Sequence, residues 1–206
     1  MVDLTVVILT KNEEKNIVKC INSFRGIAKR FVIIDSCSTD HTEEVCKQIN
    51  KKLRKNGSRL DFYQRKWVTY SDQLNWGLEN TGIDTEWSMR FDSDEELTSE
   101  LAEEIEAKLP NIEQSVTGII LRRRVYFMGR WIKHGGRYPE LLLRIFRTGK
   151  ASCEQKLMDE HMILSEGKTI TFDYDLIDNN QKDLEWWTAK HNWYSNREVL
   201  DYQTTV

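Results

Sequence analysis

Four acids stand within five positions at Asp92, Asp94, Glu95 and Glu96, and the Asp-x-Asp spacing offers two hard oxygen ligands to one cation. Carboxylates this close repel one another, so a fold that gathers them needs a compensating cation or a solvated turn. Mg²⁺ or Mn²⁺ suits such a pair when it also holds substrate phosphates. The plainer reading is an acidic turn entering the positive end of the helix from Leu97. The tripeptide alone leaves both open.

The elements that must position these acids come next. Trp87, Met89 and Phe91 alternate with Ser88 and Arg90, the period of a strand with one apolar face, and it ends at Asp92. Leu4–Leu9 is a nearly continuous apolar run, as expected of a strand buried on both faces of a parallel sheet. It exits at Thr10-Lys-Asn-Glu13, and a helix follows with Ile17, Cys20, Ile21 and Phe24 at helical spacing and Gly26 as its stop. Phe31–Ile34 is a second buried strand, ending at the polar turn Asp35–Asp40, where Asp40 and Glu43 have capping-box spacing for the next helix. That helix turns Val45, Cys46, Ile49 and Leu53 inward. Leu60–Tyr63 is a short third strand, and Tyr70–Asn80 a third helix with Leu74 and Leu78 on one face. The strand ending in Asp92 is therefore the fourth in a strand–helix alternation, the pattern of a doubly wound, mostly parallel α/β sheet. Ligands of such sheets bind beyond the carboxyl ends of the strands. Thr10–Glu13, Asp35–Asp40 and Asp92–Asp94 all fall there.

Beyond the helix Thr98–Leu109, stopped by Pro110, the pattern changes. Val116–Phe127 and Leu141–Phe146 read as strands of a mixed or antiparallel half, joined by a loop with Gly129, Gly135 and Gly136. The last segment, Leu184–Tyr202, is a helix crowded with Trp186, Trp187, Trp193, Tyr194 and Tyr202. One compact domain is expected, with residues 1–115 as a first functional half and 116–206 as a second.

The 206 residues are 39% hydrophobic and 31% charged, as in a soluble globular protein, and the two prolines argue against long disordered linkers. There is no run of about 18 apolar residues to cross a membrane, and the N-terminus reads as a first strand instead of a signal peptide. Cys20, Cys37, Cys46 and Cys153 lack Cys-x-x-Cys spacing, as reduced cytoplasmic thiols would. The net charge of −3 hides a basic block from Arg122 to Lys150, opposed only by Glu140 and interleaved with Tyr126, Phe127, Trp131 and Tyr138. Such a mixture suits a phosphate-bearing or sugar ligand as well as nucleic acid.

With these residues in place the chain resembles the inverting glycosyltransferases of family 2, which have the GT-A fold. The resemblance rests on Val6-Val-Ile-Leu-Thr-Lys-Asn-Glu13, Val32-Ile-Ile-Asp-Ser-Cys-Ser-Thr-Asp-His-Thr42 and Phe91-Asp-Ser-Asp-Glu95, in order and separation as well as type. Gly136-Arg-Tyr-Pro, Leu143-Arg-Ile-Phe-Arg147 and Met158-Asp-Glu-His-Met162 are similar to segments of bacterial lipopolysaccharide-core and cell-surface polysaccharide glycosyltransferases. Some relatives have His-Glu where this chain has Asp159-Glu160, and longer relatives continue past the aromatic helix.

The resemblance implies a nucleotide-sugar donor, uridine-based, and Mn²⁺ or Mg²⁺ as cofactor. It implies that Thr10, Asn12, Glu13, Asp35, Ser36, Gln73, Asn75, Arg90, Asp92 and Ser93 bind the donor, with Asp35 accepting from the base. Asp94 would bind the metal directly, Asp92 would hold the ribose or reach the metal through water, and His161 would be a third ligand. Glu160 or Asp159 would take the proton of the acceptor hydroxyl, while Trp131, Arg137 and Tyr138 would meet the acceptor, a saccharide or lipid-linked saccharide. The aromatic helix would pack on its own domain, on a second copy, or on the inner face of the cytoplasmic membrane. Two rivals remain. A sugar nucleotidyltransferase would need a Gly-rich, basic first turn, which Thr10–Glu13 is not. A nucleic-acid-binding module would use the basic block, against the acidic cluster on the ligand edge, so no nucleic-acid partner is expected.

Overall fold

The computed structural model describes residues 1–156 and 158–205. The elements in chain order are β1 (Val2–Thr10), α1 (Ile17–Ser23), β2 (Ala28–Asp35), α2 (Thr42–Lys55), β3 (Arg59–Gln64), α3 (Tyr70–Asn80) and β4 (Trp87–Asp92). After these come β5 (Glu95–Leu97), α4 (Ser99–Lys108), a 3-10 turn (Leu109–Asn111), β6 (Val116–Phe127), β7 (Arg130–Trp131) and β8 (Glu140–Arg147). The chain finishes with β9 (Ala151–Cys153), β10 (Met162–Leu164), β11 (Lys168–Asp178) and α5 (Leu184–Thr205).

One twisted sheet runs through both halves in the order β3-β2-β1-β4-β8-β6-β11-β5. The first four strands are parallel. β1 lies between β2 and β4, which is why its apolar run has no polar alternation. The order reverses at β1, with Thr10 level with Asp35 on one side and Leu9 with Asp92 on the other. This register brings the three polar clusters to one edge.

Side chains alternate across the sheet and fill a core on each face. Val6, Ile8, Phe31 and Phe91 meet α1 and α4, where Phe24 packs edge-on against Phe31 at 5.3 Å and Phe91 at 5.0 Å. Val7, Val32 and Ile34 meet Leu74 of α3 together with Cys153 and Met162. Gly77 lets α3 come close, since a Cβ there would stand 3.0 Å from Ile34. Thr69 and Thr98 cap α3 and α4 through Asp72 N–H and Leu101 N–H.

Three details differ from the sequence reading. The capping box at α2 does not form: His41 is the N-cap, and Asp40 accepts from Thr42 N–H at 3.0 Å and Glu14 N–H at 3.1 Å, tying the first turn to the second. The acids after Asp92 do not run straight into a helix, because Glu95–Leu97 forms β5 against β11. Residues 168–178, assigned no element from sequence, form β11, with Phe172 and Leu176 buried between polar neighbours. β11 runs parallel to β6, and both are joined through antiparallel β8 to β4. Its C-terminal end therefore emerges at the same edge as Asp92.

Candidate functional site

At the carboxyl end of β1 and β2, Asp35 organises both turns. It is fully buried, with Thr10 Oγ1 at 2.8 Å and Ser38 Oγ at 2.5 Å on one oxygen and Ser38 N–H at 2.7 Å on the other. Asn12, in a left-handed conformation, accepts from Thr39 N–H at 2.8 Å while its own N–H donates to Ser38. Lys11 donates to the carbonyl oxygens of Ser36 and Cys37. Buried Gln73 reaches in from α3 to Ser36 Oγ at 3.1 Å and the Arg65 carbonyl at 3.2 Å. Thr10, Asn12, Asp35, Ser36 and Gln73 are thus one polar wall. Asn75, expected beside them, faces β9: both ends of its amide bind the Cys153 backbone, at 2.8 and 2.7 Å.

At the end of β4, Asp92 is held from two sides, by Tyr70 Oη at 2.6 Å and Arg144 Nη2 at 3.2 Å. Burial pulls its carboxyl up, but the charges of Arg144 and Arg90 outweigh it and hold it well below the usual range. Arg90 stacks over the Tyr70 ring at 4.4 Å and donates to Tyr70 Oη at 2.9 Å. Arg144 also pairs with fully buried Glu95 at 2.5 Å, and Arg123 stands 3.9 Å from Glu95 and 3.6 Å from Asp178. Burial pushes Glu95 up to about 8, with Arg144 opposing and Asp92 adding to the rise. Ser93 lies buried between the two aspartates.

Asp94 is half-buried and its Oδ2 accepts from Asn180 at 2.8 Å. Glu13 is held by Lys182 at 2.5 Å and Asn16 at 2.7 Å; burial raises its pKa while Lys182 opposes the rise.

No three His, Cys, Asp or Glu side chains gather as a ready metal cage among the described residues. Asp92 has a hydrogen bond on each oxygen, and His161 pairs its Nδ1 with Glu154 at 2.7 Å, a bond that engages one of its two ring nitrogens. Asp94 could serve as one ligand, since Mg²⁺ is commonly held by one or two carboxylates plus substrate phosphates.

On the other side of Arg90, its Nη1 donates to the Glu160 carbonyl at 2.9 Å and so ties the Asp159–Glu160 turn to β4. Burial raises the Glu160 carboxyl, with Arg90 and Arg197 pulling the other way. Asp159 sits in a left-handed conformation at φ 53°. Trp131 and Tyr138 pack edge-to-face at 5.0 Å, and Arg124 and Lys133 stand 4.7 and 4.6 Å from the Trp131 ring centre. Tyr138 donates to Asp175 at 3.0 Å. Arg137 is exposed beside them.

Sequence reasoning passed over Tyr70, Glu95, Arg144, Asn180 and Lys182, which the fold brings to the same edge. A usable signal existed for some of them. Asp178-Asn-Asn-Gln-Lys182 is a polar cluster after a strand, like the three that were read.

The glycosyl transferase family 2 model matches residues 5–170. An uncharacterized glycosyltransferase of Rickettsia typhi is 32% identical over 106 residues, 52% of this chain and 32% of the relative. One from Rickettsia bellii is 32% identical over 103 residues, 50% of this chain and 31% of the relative. The match thus takes in about a third of the length of these relatives. Among solved structures, S. aureus TarS 1–349 superposes with a TM-score of 0.56 at 18% identity, covering 87% of this chain and 60% of that one. The same protein in complex with UDP-GlcNAc gives 0.58 at 18% identity, covering 89% and 60%. The likeness extends to the mixed strands and establishes a GT-A-type α/β fold.

Proposed function

Because the chain belongs to glycosyl transferase family 2, we propose that it moves a sugar from a uridine diphospho-sugar to an acceptor hydroxyl with inversion. The observation that carries this reading is the convergence of Thr10–Glu13, Asp35–Ser38 and Asp92–Asp94 on one sheet edge. The UDP-GlcNAc complex of TarS, which has the same fold, supports the choice of donor.

In this reading the wall from Thr10 to Gln73 receives the nucleoside, and Asp92, fixed by Tyr70 and Arg144, meets the ribose. Asp94 would hold Mn²⁺ or Mg²⁺, and such an ion supplies neutralisation of the diphosphate as it leaves. Inversion requires the acceptor oxygen to attack from the face opposite the diphosphate. Glu160 takes its proton; a carboxyl raised by burial is a stronger base than an exposed one, and Asp159 is its neighbour in that role. The acceptor, a saccharide or lipid-linked saccharide of a cell-surface glycan, lies toward Trp131, Arg137 and Tyr138.

No helix among the described residues is long and apolar enough to cross a membrane. The α5 helix shows Leu184, Trp187, Trp193 and Leu200 to solvent. With the basic block nearby, this surface suits the anionic cytoplasmic face of a membrane carrying the acceptor. A homodimer seated on α5 would instead leave the protein unbound to anionic vesicles.

A panel of nucleotide sugars with Mn²⁺ tests the reaction class. Release of UDP from a UDP-sugar is expected. Release of pyrophosphate from a nucleoside triphosphate and a sugar phosphate would overturn it in favour of a nucleotidyltransferase.

A further inference from the structure

The segment after β11 folds back over the acids of the site. Asn179 N–H donates to the Asp94 carbonyl at 3.0 Å, Asn180 to the Asp94 carboxylate at 2.8 Å, and Gln181 N–H to Asn16 Oδ1 at 2.9 Å. Lys182 then reaches Glu13, and each of the two side chains is 10% exposed. Asp183 accepts from Trp186 N–H at 2.9 Å and starts α5.

This start fixes the direction in which α5 leaves the sheet edge. Trp186, Lys190, Tyr194 and Arg197 recur at helical spacing on its half-buried face. The Trp186 ring has Lys182 Nζ at 4.3 Å and Lys190 Nζ at 4.8 Å, and Lys190 also lies 5.4 Å from the Tyr194 ring centre. Two ammonium groups therefore share one indole at the carboxyl edge of the sheet. Their situations differ. Lys182 is spent on Glu13, whereas Lys190 is hydrogen-bonded to Tyr194 and lies over aromatic rings. Burial pulls its pKa down, but Asp94, Tyr194 and Asp178 outweigh this and take it up to about 12, so it is a cation at neutral pH.

We propose that Lys190, carried in by α5 to the indole it shares with Lys182, binds the diphosphate of the donor. The inference rests on the nucleoside diphospho-sugar reading and adds a residue to it. Of the acids a diphosphate would meet there, Asp92 is already paired with Arg144 and Glu13 with Lys182, which leaves Asp94 as the charge that Lys190, and a metal where one binds, would offset. An ammonium already stripped of part of its water and propped between two rings needs little reorganisation to take a phosphate oxygen. It also gives the site a metal-free contribution to holding UDP.

Calorimetric titration of the full chain with UDP and with uridine, in EDTA and in Mn²⁺, separates the possibilities. In EDTA, Lys190→Gln is expected to weaken UDP binding by about 10- to 100-fold, as loss of a charge-assisted hydrogen bond would. Uridine, which has no phosphate, should bind as before, and Lys190→Arg should restore most of the UDP affinity. Unchanged UDP affinity in Lys190→Gln overturns the assignment. So does a parallel loss of UDP and uridine that Lys190→Arg fails to restore, since Lys190 would then only position the helix. Wild-type protein that binds neither ligand overturns the uridine-donor reading itself, and the role of Lys190 with it.

Discussion

Glu95 is the acid whose perturbation has the clearest sign. It is fully buried on β5, accepts from Asp92 N–H at 2.9 Å, and faces Arg144 from β8, Arg123 from β6, Asp92 from β4 and Asp178 from β11. Burial lifts its carboxyl from 4.5 to about 8. Asp178 is lifted from 3.8 to about 7, also chiefly by burial, with Asp94 adding to it. A folded-state pKa above the unfolded one means that the native chain keeps a proton that the unfolded chain has released. The stabilisation is then complete below the unfolded value and disappears as pH rises to the folded value. Each group contributes a slope of at most about 1.4 kcal/mol per pH unit, which caps Glu95 at about 5 kcal/mol across its window. Acids held low, such as Asp92, exert their effect below 3.8 and leave this window alone. Urea denaturation from about pH 5.5 to about pH 8.5 should therefore show stability falling throughout, with a shallower fall in Glu95→Gln. A wild-type profile that is flat or rising over that range would refute the reasoning. A Glu95→Gln profile as steep as wild type would refute the assignment to Glu95.

Glu160→Gln should lower turnover by about 10²-fold or more with UDP affinity nearly unchanged. Full activity in that variant together with loss in Asp159→Asn would move the base one residue back. Tyr70→Phe deletes the hydroxyl between Asp92 at 2.6 Å and Arg90 at 2.9 Å. A cost of about 1–3 kcal/mol is expected, read as a melting temperature lowered by about 2–4 °C per kcal/mol. An unchanged melting temperature would mean that this bridge carries no stability. Flotation with anionic vesicles should carry the protein, and Trp187→Glu should weaken that binding; equal flotation of the two would remove α5 from the membrane contact.

The first half of the fold was legible because its strands are buried on both faces. Runs such as Leu4–Leu9 and Phe31–Ile34 are short, rich in β-branched residues and bounded by polar turns, so they read as buried strands, and the turn after each is then placed by topology. Asp92 and Asp94 were legible for the same reason. Asn75 was not, since whether an amide on α3 points to the sheet edge or to β9 depends on a strand that pairs with β10 far along the chain. Glu95 read as helix-entry chemistry, but its environment comes from Arg144 and Arg123 on strands distant in sequence. Lys182 and Lys190 depend on β11, whose alternation of Thr, Asp and Tyr with apolar residues is weaker than the runs of the parallel half. Once β11 runs parallel to the central strands, the arrival of its last residues at Asp94 and Glu13 follows.

The measurement that goes most directly to the donor site is calorimetric titration with UDP, in Mn²⁺ and in EDTA, of the wild-type chain and of Asp94→Ala. UDP should bind the wild type, Mn²⁺ should strengthen that binding, and Asp94→Ala should abolish the strengthening. Equal UDP affinity in Mn²⁺ and EDTA would contradict a metal-bridged diphosphate at Asp94, and no UDP binding under either condition would contradict a uridine-diphosphate site on this edge of the sheet.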